Sequence, residues 1–279
     1  MIGSTPSRLL LIARNTFLEA VRQKFFNVLV ILSIALIGSS NFFRQFDFGS
    51  SELKFIADLG LGSILLFGSI LSVVVTAQLF FSEIENRTAL TILAKPVQRW
   101  EFIVGKFLGI FFVIAAFVSL MFLLLAAMLY WRESTLMENL GGDFTGGRIV
   151  QYGGILMMAL TELLKFGILV AITLFIASFS NTNLYTVIIS FFVMLICQLQ
   201  YIAKDSWGDL ENPIVRGIVW LLASIFPNLQ MFNIGEQLIF TPVGATVEMS
   251  VYFGIVGYGL IYIVAFLGLS AYSFKNREI

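Results

Sequence analysis

Glu162 and Lys165 stand three residues apart inside a stretch, 154–179, that is otherwise almost wholly apolar. On a helix, positions i and i+3 share a face, so the two side chains can neutralise each other. A lone charge in hydrocarbon costs about 2.5–3.5 kcal/mol on insertion scales, so charges at such a place ask for a reason. Two readings stand. The pair is a contact for substrate or ion along a path through the protein, or it is a structural pair near the outer edge of a membrane, with Lys165 reaching for the headgroups.

Other chemistry is excluded by composition. The 279 residues include no histidine, which removes imidazole acid–base catalysis, histidine metal ligation and the usual nucleophilic triads. The one cysteine, Cys197, lies in an apolar run, so no disulfide forms within the chain. No serine or cysteine sits in a set of acids and bases that would activate it. A phosphate-cradling loop needs Gly-x4-Gly-Lys followed by Ser or Thr. The nearest fragment, Gly105-Lys106, is followed by Phe107 and has no upstream glycine at the right distance. The chain therefore reads as no enzyme, with no cofactor and no metal.

The elements that must hold Glu162 and Lys165 are membrane spans. Hydrophobic residues make up 58% of the chain and charged residues 12%, with a mean hydropathy of +0.93. A soluble domain carries about 25% charge, so lipid is the solvent for much of this surface. The net charge is zero, and no nucleic-acid partner is expected. Six apolar stretches approach the roughly 20 residues a span needs: 25–41, 59–81, 103–130, 154–179, 184–203 and 250–273. Their apolar runs are continuous rather than alternating, which predicts helices and not a barrel.

Residues 8–24 differ from a span. Arg8, Arg14, Glu19 and Arg22 interrupt Leu9, Leu10, Ile12, Phe17, Leu18 and Val21, which can share much of one helical face. That pattern predicts an amphipathic interfacial helix, the alternative being a frayed start to the first span. The apolar stretch Leu9 to Ala13 is too short for the core of a signal peptide. With the N-terminus inside, Arg8, Arg14, Arg22, Lys24, Arg87, Lys95, Arg99, Lys106, Lys275 and Arg277 lie on the inner side. Arg44, Lys54, Arg132, Arg148, Lys204 and Arg216 lie on the outer side. The excess of basic residues favours both termini in the cytoplasm. Residues 214–226, between Pro213 and Pro227, are too few to cross and predict a re-entrant or interfacial helix. A seventh span is the alternative, and it would put Lys275 and Arg277 outside. The expected fold is thus an all-α integral membrane protein. Its single domain, 1–279, has six transmembrane helices, an N-terminal interfacial helix and a re-entrant segment within an outer loop, 204–249.

The cytoplasmic stretch from Ser82 to Lys106 is the most informative loop. Ser82 followed by Glu85 fits a capping box and predicts a short helix starting there. Pro96 disfavours helix at Lys95 and can open the next one, leaving a helix of about three turns, roughly 16 Å. A plain connector would be polar. Here Ile84, Leu90, Ile92 and Leu93 are ringed by Glu83, Glu85, Arg87, Lys95 and Arg99, a pattern that suits a groove on a partner protein.

Over residues 80–110 this pattern resembles the ABC-2 type transporter permeases. An acidic start, Arg87-Thr88, Leu93-x-Lys95-Pro96-Val97, Arg99 and Gly105-Lys106 lead into a span. The amphipathic N-terminus and Pro227-Asn228-Leu229 are similar to that family as well. The resemblance implies six spans, an interfacial elbow helix, and a coupling helix in the 82–99 loop that contacts a separate P-loop ATPase subunit. It also implies a second permease, identical or homologous, and export across a prokaryotic plasma (inner) membrane. The expected ATPase contact is Glu83, Ile84, Glu85, Arg87, Thr88, Leu90, Leu93, Lys95, Pro96 and Arg99. In such permeases the second and fifth spans line the interface between permeases. Ser72, Thr76 and Gln198 on those spans, with Glu162 and Lys165, are the expected polar positions of the path. Ordinary hydrogen bonding between helices is the alternative for each. The competing function is an ion-coupled secondary transporter using Glu162 and Lys165. Such proteins often show internal repeats, and the sequence has none.

Overall fold

The computed structural model describes residues 5–43, 52–85, 98–139, 149–205, 212–240 and 249–275. Among these, all regular structure is helical. The order is α1 (Thr5–Val21), α2 (Lys24–Phe43), α3 (Glu52–Glu85), α4 (Arg99–Asn139), α5 (Tyr152–Phe179), α6 (Asn183–Asp205), α7 (Pro213–Ile225), a 3₁₀ turn (Leu229–Phe232), α8 (Gly235–Ile239) and α9 (Met249–Lys275).

Five helices, α3, α4, α5, α6 and α9, are long and apolar enough to cross a membrane. The pair α1 and α2, bent by 65°, adds a sixth if counted as one span. The protein is an all-α integral membrane protein, as its composition requires. Two spans are longer than the hydropathy alone indicates. At 1.5 Å per residue, the 34 residues of α3 and 41 of α4 reach about 51 and 61 Å. Both exceed the roughly 30 Å hydrocarbon core, so their charged ends project beyond it.

Lipid as solvent also explains the inversion of α6. Its buried positions include Thr186, Ser190 and Gln200, whereas Leu184, Ile188, Phe192, Leu195, Ile196 and Leu199 face outward. In water this helix would be inside out. In a bilayer the apolar face meets acyl chains and the polar side chains turn inward.

α3 and α5 form the centre, with two-thirds of their most apolar windows buried. Close approaches follow small residues. A Cβ on Gly68 of α3 would lie 2.3 Å from the Phe166 ring on α5, and one on Gly60 would lie 2.4 Å from Leu125 on α4. Phe80 (α3), Phe102 (α4) and Phe274 (α9) are fully buried and meet at centroid distances of 5.5–6.4 Å, joining three helices where α3 ends and α4 begins. Residues 86–97, which join α3 to α4 in the chain, lie outside the described residues, and this side of the molecule is the loop end.

α1 packs along α4 through small residues. Cβ atoms on Gly105 and Gly109 would come within 2.8 Å of Ile12 and 2.6 Å of Thr16. The buried stripe of α1 is Ala13, Thr16 and Ala20, while Leu10, Leu11, Leu18 and Val21 are exposed. Leu10, Leu18 and Val21 share a different face of α1 from that buried stripe. The two glycines let α1 approach α4 closely through Ile12 and Thr16.

α7 has 13 residues, about 20 Å, too short to cross. Ile214, Val215 and Trp220 are exposed, and the Tyr262 hydroxyl donates to Ser224 O at 3.1 Å.

Candidate functional site

The helix expected to begin at Ser82 does not begin there. Residues 52–85 form one continuous helix, so Ser82 to Glu85 lie within a helix that begins far earlier in the chain. Ser82 is not a cap. Its hydroxyl donates to Glu19 Oε1 on α1 at 2.8 Å. The span simply outruns its apolar core, which a local capping signature cannot reveal. The cap motif sits instead at the start of α4, where Glu101 Oε2 accepts the Gln98 N–H at 3.0 Å.

Glu83 and Lys106 form a buried ion pair, Nζ to Oε1 2.8 Å, between the end of α3 and the first turns of α4. Lys106 Nζ also donates to Leu79 O at 2.8 Å and lies 6.0 Å from the Phe102 ring centroid. A buried ammonium is tolerable only when its donors find acceptors, and both of these come from α3. Arg8 of α1 reaches Glu101 Oε2 at 3.3 Å. Arg99 donates through Nη1 to Phe274 O at 3.1 Å and to Lys275 O at 2.6 Å, the last carbonyls of α9. A cation at a helix C-terminus satisfies carbonyls that have no partner within the helix.

These contacts place the sequence candidates as follows. Glu83 is turned inward to Lys106, Ile84 packs against the core, Glu85 is part of α3 and Arg99 opens α4 against α9. Arg87, Thr88, Leu90, Leu93, Lys95 and Pro96 lie outside the described residues. Sequence reasoning missed Lys106, Glu101 and Glu19 as partners. Their contacts cross between helices distant in the chain and carry no local signal.

Glu162 and Lys165 lie on one face of α5, Nζ to Oε1 3.4 Å, and both are buried. Lys165 is the fourteenth of the 28 residues of α5, so the pair sits in the middle of the helix and not at its edge. The Lys165 ammonium is turned inward against Glu162. Glu162 Oε2 is buried and has no hydrogen-bond partner among the described residues, and the same holds for Thr173 Oγ1 on α5 and Ser190 Oγ on α6. Ser72 and Thr76 bond back to Gly68 O and Ser72 O within α3, at 2.7 and 2.5 Å. Gln198 on α6 donates to Gln230 Oε1 at 2.9 Å. Among the described residues no hydrogen bond or ion pair joins Glu162 or Lys165 to Ser72, Thr76 or Gln198.

At the opposite end, Arg132 of α4 makes a bidentate pair with Glu52 of α3, both contacts 2.8 Å. Its neighbour Glu133 is fully buried. Oε1 accepts the N–H groups of Ile149 and Val150 at 2.8 and 3.0 Å, and Oε2 accepts the Tyr152 hydroxyl at 2.7 Å. Lys106 and Arg132 are 26 residues apart, about 39 Å along α4. That separation exceeds the roughly 30 Å hydrocarbon core of a bilayer.

A membrane-spanning helical bundle with charged ties at both ends and no nucleotide-binding loop in its sequence is matched, over residues 10–279, by the family described as ABC-2 family transporter protein. The chain belongs to the ABC-2 transporter family. As an ABC-2 protein it is a membrane component of an ABC transporter and not itself catalytic, and the family implies an ATPase partner and often a dimer. No curated protein matches the chain.

Proposed function

We propose that the chain is the permease subunit of an ABC exporter, driven by a separate P-loop ATPase subunit and paired with a second permease in a prokaryotic plasma (inner) membrane. Both termini face the cytoplasm in this reading, so the loop end is the inner side. The ATPase contact is the segment that continues α3, from Ile84 and Glu85 through Arg87, Thr88, Leu90 and Leu93 to Lys95 and Pro96. Its apolar positions fill a groove and its charges form the rim. Glu83 anchors this segment from beneath. Arg99, expected at the same contact, is already engaged with α9 and is taken up below.

The observation that carries the proposal is the fastening of both ends of the 86–97 loop. The Glu83–Lys106 pair ties the end of α3 to the start of α4, so a push on the loop acts on two spans together instead of bending the connector. The path runs alongside α3, α5 and α6, with Glu162 and Lys165 as its charged contact and Ser72, Thr76 and Gln198 as its polar flank. The unsatisfied Glu162 Oε2 supports that placement, because a buried carboxylate oxygen calls for water, an ion or a ligand.

The test is affinity purification of the tagged chain from its native membrane in mild detergent. A P-loop ATPase subunit is expected to co-purify. Transport by the chain alone in liposomes, driven by a proton or sodium gradient and abolished by Glu162→Gln, would instead establish the secondary transporter.

A further inference from the structure

We infer that the last span, α9, relays movement of the 86–97 loop to α5, with Arg99 as the positioning residue that makes the connection. The inference rests on the coupling reading above and adds a route to it. Arg99 is the first residue of α4, directly after the loop, and its guanidinium grips two successive carbonyls, Phe274 O and Lys275 O, at the end of α9. One turn earlier on α9, the buried Ser270 hydroxyl donates to Leu174 O of α5 at 3.2 Å. α5 carries the Glu162–Lys165 pair. A continuous set of contacts therefore runs from the loop through Arg99 to α9, and from α9 through Ser270 to α5.

Geometry favours transmission over local strain. The Phe102 and Phe274 rings are stacked at 5.5 Å, with an interplanar angle of 14°, directly beside the Arg99 contact. The start of α4 and the end of α9 are thus held by an apolar stack and a charged cap, and a displacement of one carries the other. Packed interfaces of this kind shift as units. The guanidinium is fit for the task, because Nη1 alone donates to both carbonyls and the charge that strengthens these bonds is always present.

The test follows distances at the loop end in the complex with its ATPase, using spin labels in a Cys197→Ala background. One pair joins Trp100 and Tyr185, reporting the start of α4 against the start of α6. The other joins Tyr185 and Tyr272, reporting the end of α9. All three positions are exposed. In the wild type, trapping ATP should shift both distances. In Arg99→Ala the first shift should persist and the second should be lost, with Arg99→Lys restoring it in part. Arg99→Gln serves the same purpose if the alanine variant yields too little folded protein. An α9 shift of wild-type size in these variants, or none in the wild type while α4 moves, overturns the relay alone. Absence of both shifts in the wild-type complex, or of any associated ATPase, overturns the coupling reading and the relay with it.

Discussion

Lys106 and Glu83 lie 2.8 Å apart, and both are buried between α3 and α4. They are 23 positions apart in the chain and enclose the loop proposed to meet the ATPase. Removing one member leaves a buried charge alone, which costs about 3–5 kcal/mol, while replacing both with apolar groups is far milder. Lys106→Met should therefore lower the unfolding midpoint in detergent sharply, and Glu83→Gln with Lys106→Met should recover most of the loss. Equal midpoints for the single and double variants would contradict the pairing.

The glycines of α4 give a second expectation. A Cβ at Gly109 would lie 2.7 Å from Ala13 O, and a backbone atom of α1 cannot move aside as a flexible side chain can. Gly254 of α9 has nothing within 4 Å of the corresponding position. Gly109→Leu should detach α1 from α4, seen as faster hydrogen exchange over residues 9–20. Gly254→Ala should leave exchange and stability unchanged.

What the sequence made legible was whatever depends on composition and run length. The apolar stretches place the spans, and the absence of histidine and of a phosphate loop limits the chemistry. Contacts between helices were not legible. Gly105 and Gly109 stand four residues apart, but nothing local says that α1 is the neighbour they admit. Lys106 counts as one more inner basic residue until packing brings Glu83 beside it. Ser82 and Glu85 imitate a helix start because hydropathy ends before the helix does. Lys165 can be read as reaching for the headgroups until packing shows its side chain buried against Glu162.

Glu133 was invisible for the same reason and supplies a third prediction. Its carboxylate accepts three hydrogen bonds from residues 149–152, on the far side of a loop. Hydrogen bonds to a charged group contribute about 1.5–3 kcal/mol, and neutral ones about 1. Glu133→Gln should cost more stability than Tyr152→Phe, with accelerated exchange at the amides of Ile149 and Val150. A smaller loss for Glu133→Gln than for Tyr152→Phe would show that the carboxylate does not hold this segment.

The Glu162–Lys165 pair separates path from scaffold. Lys165→Met alone leaves a buried carboxylate and should reduce the folded yield. Glu162→Gln with Lys165→Met should restore it. If the pair lies on the path, the restored double variant still fails to transport in the cell, scored as the phenotype of a deletion. A double variant with full function would make the pair structural only.

The coupling segment itself is tested most directly by the ATP hydrolysis that co-purifies with the tagged chain. Leu90→Asp and Leu93→Asp place a charge in the proposed groove contact without touching a span. Wild-type preparations should hydrolyse ATP, and each variant should insert normally yet lose most of that activity together with the ATPase subunit. Full retention of the subunit and of hydrolysis by both variants would contradict the account.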